Sequence, residues 1–224
     1  MKQYNILDYG AIADGVTNNA AAIQQAIDEA SAEGGRVVIP QGKYLSGTLV
    51  LKSNIDFHLE KGAVLISSLN QEDIMDFAKL FEDDNACTGW DGGCFLFACH
   101  EENITISGEG VIYGQGDKVF IDDDVDGGAH ECPLSVAAFR PRTTFLEDVT
   151  NLTVRDITIQ DAAFWTLHMA GCHYVRVQDI KILNDVRGAN NDGIDPDCCK
   201  DVLITGCLVK TGDDAIVIKT TKPM

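Results

Sequence analysis

Internal repetition constrains this chain more than any other feature. Asn151-Leu-Thr-Val-Arg-Asp-Ile-Thr-Ile, His173-Tyr-Val-Arg-Val-Gln-Asp-Ile-Lys-Ile and Asp201-Val-Leu-Ile-Thr-Gly-Cys-Leu-Val share one pattern. Leu152 and Val154 correspond to Val175 and Val177, then to Val202 and Ile204, at steps of 23 and 27 residues. An earlier copy begins at Asn103-Ile-Thr-Ile. Within each copy apolar and polar residues alternate, so one side of a short strand faces inward and the other outward. A unit of this length cannot bury its apolar side alone, whereas stacked units can. The pattern predicts an all-β fold, a parallel β-helix (a solenoid). An antiparallel sandwich of short strands is the competing reading, and it does not explain the recurrence in both composition and position.

Before the repeats, Ala22, Ile23, Ala26, Ile27 and Ala30 follow helical spacing. Thr17, Asn18 or Asn19 can cap the start, and Gly34-Gly35 ends the helix. Short strands follow at Arg36–Ile39, closed by Pro40, and at Thr48–Leu51. A single amphipathic helix ahead of many strands suits a cap over the solenoid's open end, where backbone groups would otherwise stay unpaired. The cap is expected to span about residues 1–51, and a second short helix Asp73–Phe81. No linker or low-complexity tract interrupts residues 1–224, which predicts a single domain.

The net charge of −18 argues against nucleic acid and against anionic lipid as partners. A local basic pocket could still accept an acidic sugar. The N-terminus shows no apolar secretory core and no stretch spans a membrane, so a cytoplasmic location is expected. The eight cysteines form no C-x-x-C pair and are expected to be reduced and mostly buried.

Chemistry concentrates in Asn190-Asn191-Asp192-Gly193-Ile194-Asp195-Pro196-Asp197 and Gly212-Asp213-Asp214. Asp192 and Asp213 are 21 residues apart, close to one coil. Groups one coil apart in a parallel stack sit on neighbouring strands about 4.8 Å apart. Asp192 should therefore lie beside Asp213 and Asp214. Crowded carboxylates resist joint ionisation, so one can stay protonated while another stays charged, as an acid–base pair for glycoside cleavage requires. Neighbouring residues on a regular strand point to opposite faces; Asp213 and Asp214 can share a face only if the chain bends, which Gly212 permits. Other readings stand beside this one. Asp-Gly pairs mark turns, and Asp192, Asp195 and Asp197 have oxygen ligands suited to Ca²⁺ without the twelve-residue hand.

Asn190-Asn191-Asp192-Gly193 resembles the N-T-D motif of the polygalacturonases, glycoside hydrolase family 28, and Gly212-Asp213-Asp214 resembles their G/Q-D-D motif. Gly110–Gly116, Arg140-Pro141-Arg142 and Phe164-Trp165-Thr166-Leu167-His168 are similar as well, and Asp8-Tyr9-Gly10-Ala11 is shared more widely among pectinase-like β-helices. The resemblance implies a right-handed solenoid and hydrolysis of pectin-type chains with inversion. It implies Asp213 as the general acid, with Asp192 and Asp214 holding and deprotonating water. It also implies Asn190 supporting that geometry, Trp165 and His168 contacting a galacturonan-type substrate, and neither metal nor cofactor. Rhamnogalacturonan and xylogalacturonan fit the same family. Asn191 stands where Thr is usual, and no G-H-G histidine or R-x-K motif follows. The chain thus reads as the N-terminal part of the family's domain, with a last coil expected to associate. A pectate-lyase-like enzyme and a non-catalytic carbohydrate-binding β-helix are the alternative functions.

Overall fold

The computed structural model describes residues 1–75, 93–122 and 134–221. Three parallel sheets form the walls of a right-handed β-helix. The first runs from Lys2–Asn5 through Gly35–Ile39, Ile55–Leu59, Glu102–Gly108, Thr150–Arg155 and His173–Gln178 to Lys200–Thr205. The second runs in step with it from Asp14–Asn18 to Leu208–Lys210. The third comprises Leu49–Val50, Cys94–Cys99, Arg142–Glu147, Leu167–Ala170 and Ile194–Asp197. Single bridges from Ile194 to Ile216 and from Asp197 to Lys219 carry it one step further.

The observed register is the one the repeats dictate. Ile104, Leu152, Val175 and Val202 stack in one row, and Ile106, Val154, Val177 and Ile204 in the next. Leu65, Ile112, Ile159 and Ile182 make the matching row of the second sheet. These side chains meet inside the coils, and the rows are fully buried except at the last coil. Removing apolar surface from water at roughly 25 cal/mol per Å² is what holds successive coils together.

The helix spans Ala20–Glu33, and Ile23, Ala26, Ile27 and Ala30 are its buried face. It packs on Lys2–Asn5, Gly35–Ile39 and Leu49–Val50, covering the first coil. Its start differs from simple capping. Asn19 occupies the cap position but turns its side chain to the backbone of Ile12, Thr17 and Leu45, while Asn18 accepts from the Ala20 N–H. The asparagine thus ties helix to wall. The expected helix at Asp73–Phe81 is replaced by a 3-10 turn at Gln71–Asp73 that ends before Ile74; residues 76–81 lie outside the described part. No described helix is long and apolar enough to cross a membrane.

One turn recurs with left-handed backbone at Asn54, Asn103, Asn151, Tyr174 and Asp201. Asparagine tolerates this region better than most residues. Asn151 Nδ2 donates to Asn103 Oδ1 at 2.8 Å, and Asn103 Nδ2 to Asn54 Oδ1 at 2.9 Å, so the turns form a hydrogen-bonded ladder. Cys94, Cys99, Cys172, Cys198, Cys199 and Cys207 are all thiols, with Cys94 and Cys172 buried; Cys87 and Cys132 lie outside the described residues.

Candidate active site

The site forms on the outer face of the third sheet, where the second sheet turns into it. Outward positions there stack as Phe97, Phe145, His168 and Asp195. Phe145 lies 4.8 Å from the His168 ring and Trp165 4.9 Å from it, edge on. This outer face is therefore itself packed.

Asp192 is positioned by its coil neighbours. Its carbonyl accepts from the Thr166 N–H at 3.0 Å, and the next residue, Gly193, donates its N–H to the Asp214 carbonyl at 2.8 Å. A Cβ on Gly193 would come within 2.5 Å of the Ala215 carbonyl oxygen, so only glycine allows this approach. Asn191, fully buried, fixes the loop: its Nδ2 donates to the Asp185 carbonyl at 2.8 Å, and its Oδ1 accepts from the Gly212 N–H at 2.7 Å. Asn184 braces it from below, donating to Thr166 Oγ1 and to the Asn191 carbonyl. Residues 211–215 are not a strand, and a Cβ at Gly212 would meet the Gly188 carbonyl at 2.5 Å. The bend turns both following acids outward, with Asp213 Oδ1 accepting from the Asp214 N–H at 2.9 Å.

Asp192, Asp213 and Asp214 each offer an oxygen within 4.8 Å of those of the other two. The one-coil spacing thus places the acids side by side. This nearest-oxygen approach is tighter than the roughly 6.5–9.5 Å between carboxyl groups that an inverting enzyme leads one to expect. Asp213 and Asp214 are exposed, and Asp192 is nearly covered.

A cation sits over the buried acid. Lys219 Nζ donates to Asp192 Oδ2 at 2.9 Å, stands 3.4 Å from Asp195 Oδ1 and lies 4.0 Å above the Trp165 ring. Burial disfavours the charge of Lys219, but Asp192 and Asp195 outweigh it and raise its pKa. Asp195 is fully buried, and burial followed by the charge of Asp192 pushes its carboxyl up to about 8. Asp197 accepts from the Thr221 N–H at 2.8 Å and from its hydroxyl, and lies 3.4 Å from His168 Nε2. Burial holds His168 below its ordinary pKa. Asp192, Asp195 and Asp197 are thus engaged by Lys219, Thr221 and His168 and do not converge as a calcium cage. The grouping with cation-sharing spacing among the described residues is Asp192, Asp213 and Asp214, whose buried member already carries the ammonium of Lys219.

Asn190 lies in the left-handed region and accepts from Arg140 at 2.9 Å. Arg140 also binds the Ala189 carbonyl and stacks on Phe164, so Asn190 is tied to Arg140 rather than to the acids. Trp165 keeps 8% of its surface exposed, stacked on Phe164, with Arg142 on the same ring. His168 keeps 1%, so its ring meets Phe145, Trp165 and Asp197 instead of solvent. Lys219, Asn184 and Asn191 carry parts of the site that sequence reasoning left without a role. Lys219 pairs with Asp197 one coil back, the same 22-residue spacing that relates Asp192 to Asp214, and that signal would have found it.

A parallel β-helix with clustered aspartates on its outer wall defines the class: an all-β solenoid with an acidic patch. Residues 33–223 match the model of the glycosyl hydrolases family 28, and the chain belongs to that family. A Vitis vinifera protein named "Probable polygalacturonase" is 29% identical over 96% of this chain and 44% of its own length. The Yersinia enterocolitica family 28 exopolygalacturonase superposes with a TM-score of 0.80 at 26% identity, over 97% of this chain and 44% of that one. The hyperthermoactive exopolygalacturonase of Thermotoga maritima gives 0.78 at 27%, over 98% and 55%. The chain spans less than half the length of the Vitis relative.

Proposed function

We propose that this chain carries the acid–base half of a hydrolase that cleaves glycosidic bonds in pectin-type chains, polygalacturonate foremost. The observation that carries this reading is the meeting of Asp192, Asp213 and Asp214 within 4.8 Å in a member of family 28. Asp213, exposed beside its partners, protonates the leaving oxygen. Asp192 and Asp214 hold the water and take its proton. Trp165 offers its remaining exposed edge to a sugar face, Asn190 supports the loop through Arg140, and His168 acts from beneath through Trp165. Arg140 and Arg142, gathered around Phe164, form the local cationic zone that a polyanionic substrate needs on a chain of net charge −18.

Association through the last coil belongs to the same proposal. The strands Lys200–Thr205 and Leu208–Lys210 end their sheets, and Leu208, Ile216 and Ile218 are exposed beside them.

Release of reducing ends from polygalacturonate tests the reading. Wild type is expected to release them, and Asp213→Asn to be slower by about a hundredfold or more, since a positioned general acid contributes roughly 10²–10⁴-fold. An unsaturated product absorbing in the ultraviolet, lost on chelation, would instead indicate a lyase. Equal rates for the two proteins would remove Asp213 from the role.

A further inference from the structure

Asp195 has no role in the chemistry above, yet it is among the most enclosed charged residues of the chain. It projects outward from the third sheet into a packed space. His168 faces it from the preceding strand, Lys219 from the following coil, Asp192 from the loop before it, and Asp197 follows on its own strand. Its side chain is fully buried, and neither of its oxygens has a hydrogen-bond partner among the described residues, although Lys219 Nζ is 3.4 Å from Oδ1. The second oxygen of Asp192 is also unmatched, while the first binds Lys219 at 2.9 Å. A surface ion pair would not be built this way. Buried carboxyls without donors are costly and persist where the surroundings hold them for a purpose.

We propose that Asp195 and Lys219 are positioning residues for the cleavage inferred above: Lys219 clamps Asp192 toward Asp213 and Asp214, and Asp195, from behind, keeps the ammonium aimed at Asp192. The proposal rests on the hydrolase reading for its purpose but not for its geometry. Two neighbouring carboxyls share one cation, so the deeper one retains its proton and leaves the charge to Asp192. The protonated Asp195 adds no competing anion, and Lys219 stays with the acid that faces substrate. Once Asp195 ionises, near pH 8, it competes for Lys219 and the clamp loosens. Lys219 is also held from the side by the face of Trp165, which narrows the directions its ammonium can take.

Asp195→Asn, Asp195→Leu and Lys219→Met in this chain test the idea, with rates on polygalacturonate between pH 5 and 9 and a crystal structure of the leucine variant. Asp195→Asn, neutral at every pH, is expected within about threefold of wild type at pH 5 and to fall less steeply than wild type between pH 7 and 9. Asp195→Leu and Lys219→Met are expected to lose at least tenfold in kcat with little change in KM. In the leucine variant the Asp192 carboxyl should leave its contact with Lys219. A folded Asp195→Leu with wild-type kcat overturns the proposal, as does an alkaline drop unchanged in Asp195→Asn. If wild type releases no reducing ends, the hydrolase reading fails on its own, and the crystal structure still decides: Asp192 unmoved on Lys219 overturns the positioning role, and its displacement supports it.

Discussion

At the scale of single residues, burial and charge turn a short acidic stretch into groups with different duties. Asp192 is hydrogen-bonded to the ammonium of Lys219, Asp195 shares that cation at 3.4 Å, and Asp213 and Asp214 face solvent. Asp195 links this to stability. Its folded pKa lies above the ordinary 3.8, at about 8. The folded state therefore holds a proton that the unfolded chain has released, and stability falls as pH rises between those values. The expected slope is about 1.4 kcal/mol per pH unit. Denaturant melts of Asp195→Asn between pH 5 and 8 should lack that slope; a slope equal to wild type would place the proton elsewhere. Asn191 makes a second case. Asn191→Ala would leave the Gly212 N–H and the Asp185 carbonyl without their partner, at a cost of about 1–3 kcal/mol in a denaturant melt. A smaller loss of activity than of stability would show that Asn191 holds the loop without touching substrate. The sequence announced that Asp213 and Asp214 could share a face because Gly212 signalled a bend. It did not announce that the outer face around His168 is packed: alternation tells which side of a strand a residue takes, not whether that side is covered.

At the scale of elements, the register was readable because inward apolar residues recur in pairs, and a slip of one residue would turn every pair outward. The asparagine ladder follows from the same stacking. Asn54, Asn103 and Asn151 pass hydrogen bonds from turn to turn, and the row then reaches Tyr174, still left-handed at φ 55°. A tyrosine there has no amide to donate. Tyr174→Asn should extend the ladder to Asn151 and relieve the backbone, raising stability by about 1 kcal/mol. Thermal melts check it, and a lower Tm would mean that the stacking of Tyr174 on His173 outweighs the ladder. The helix was legible in its apolar face, but the turn of Asn19 away from capping was not. Its partners at Ile12 and Leu45 are close only after the first coil has closed.

At the scale of the whole molecule, stacking makes a local sequence spacing into a site, because every coil places its residues beside those of the last. At the last coil, Val202 and Ile204 occupy the same rows as fully buried residues and are themselves partly buried against the core. If that end associates as proposed, sedimentation should show a concentration-dependent mixture, and Leu208→Lys with Ile216→Lys should shift it to a monomer. A single monomeric species at every concentration would count against it.

On the proposed function, coil-over-coil stacking makes Asp192, Asp213 and Asp214 one hydrolytic centre. Proton NMR of the first sugar released from a galacturonan tests it most directly. The expected product is saturated, and its new reducing end has the anomeric configuration opposite to the bond cleaved. A product of retained configuration, an unsaturated product, or no cleavage at all would contradict it.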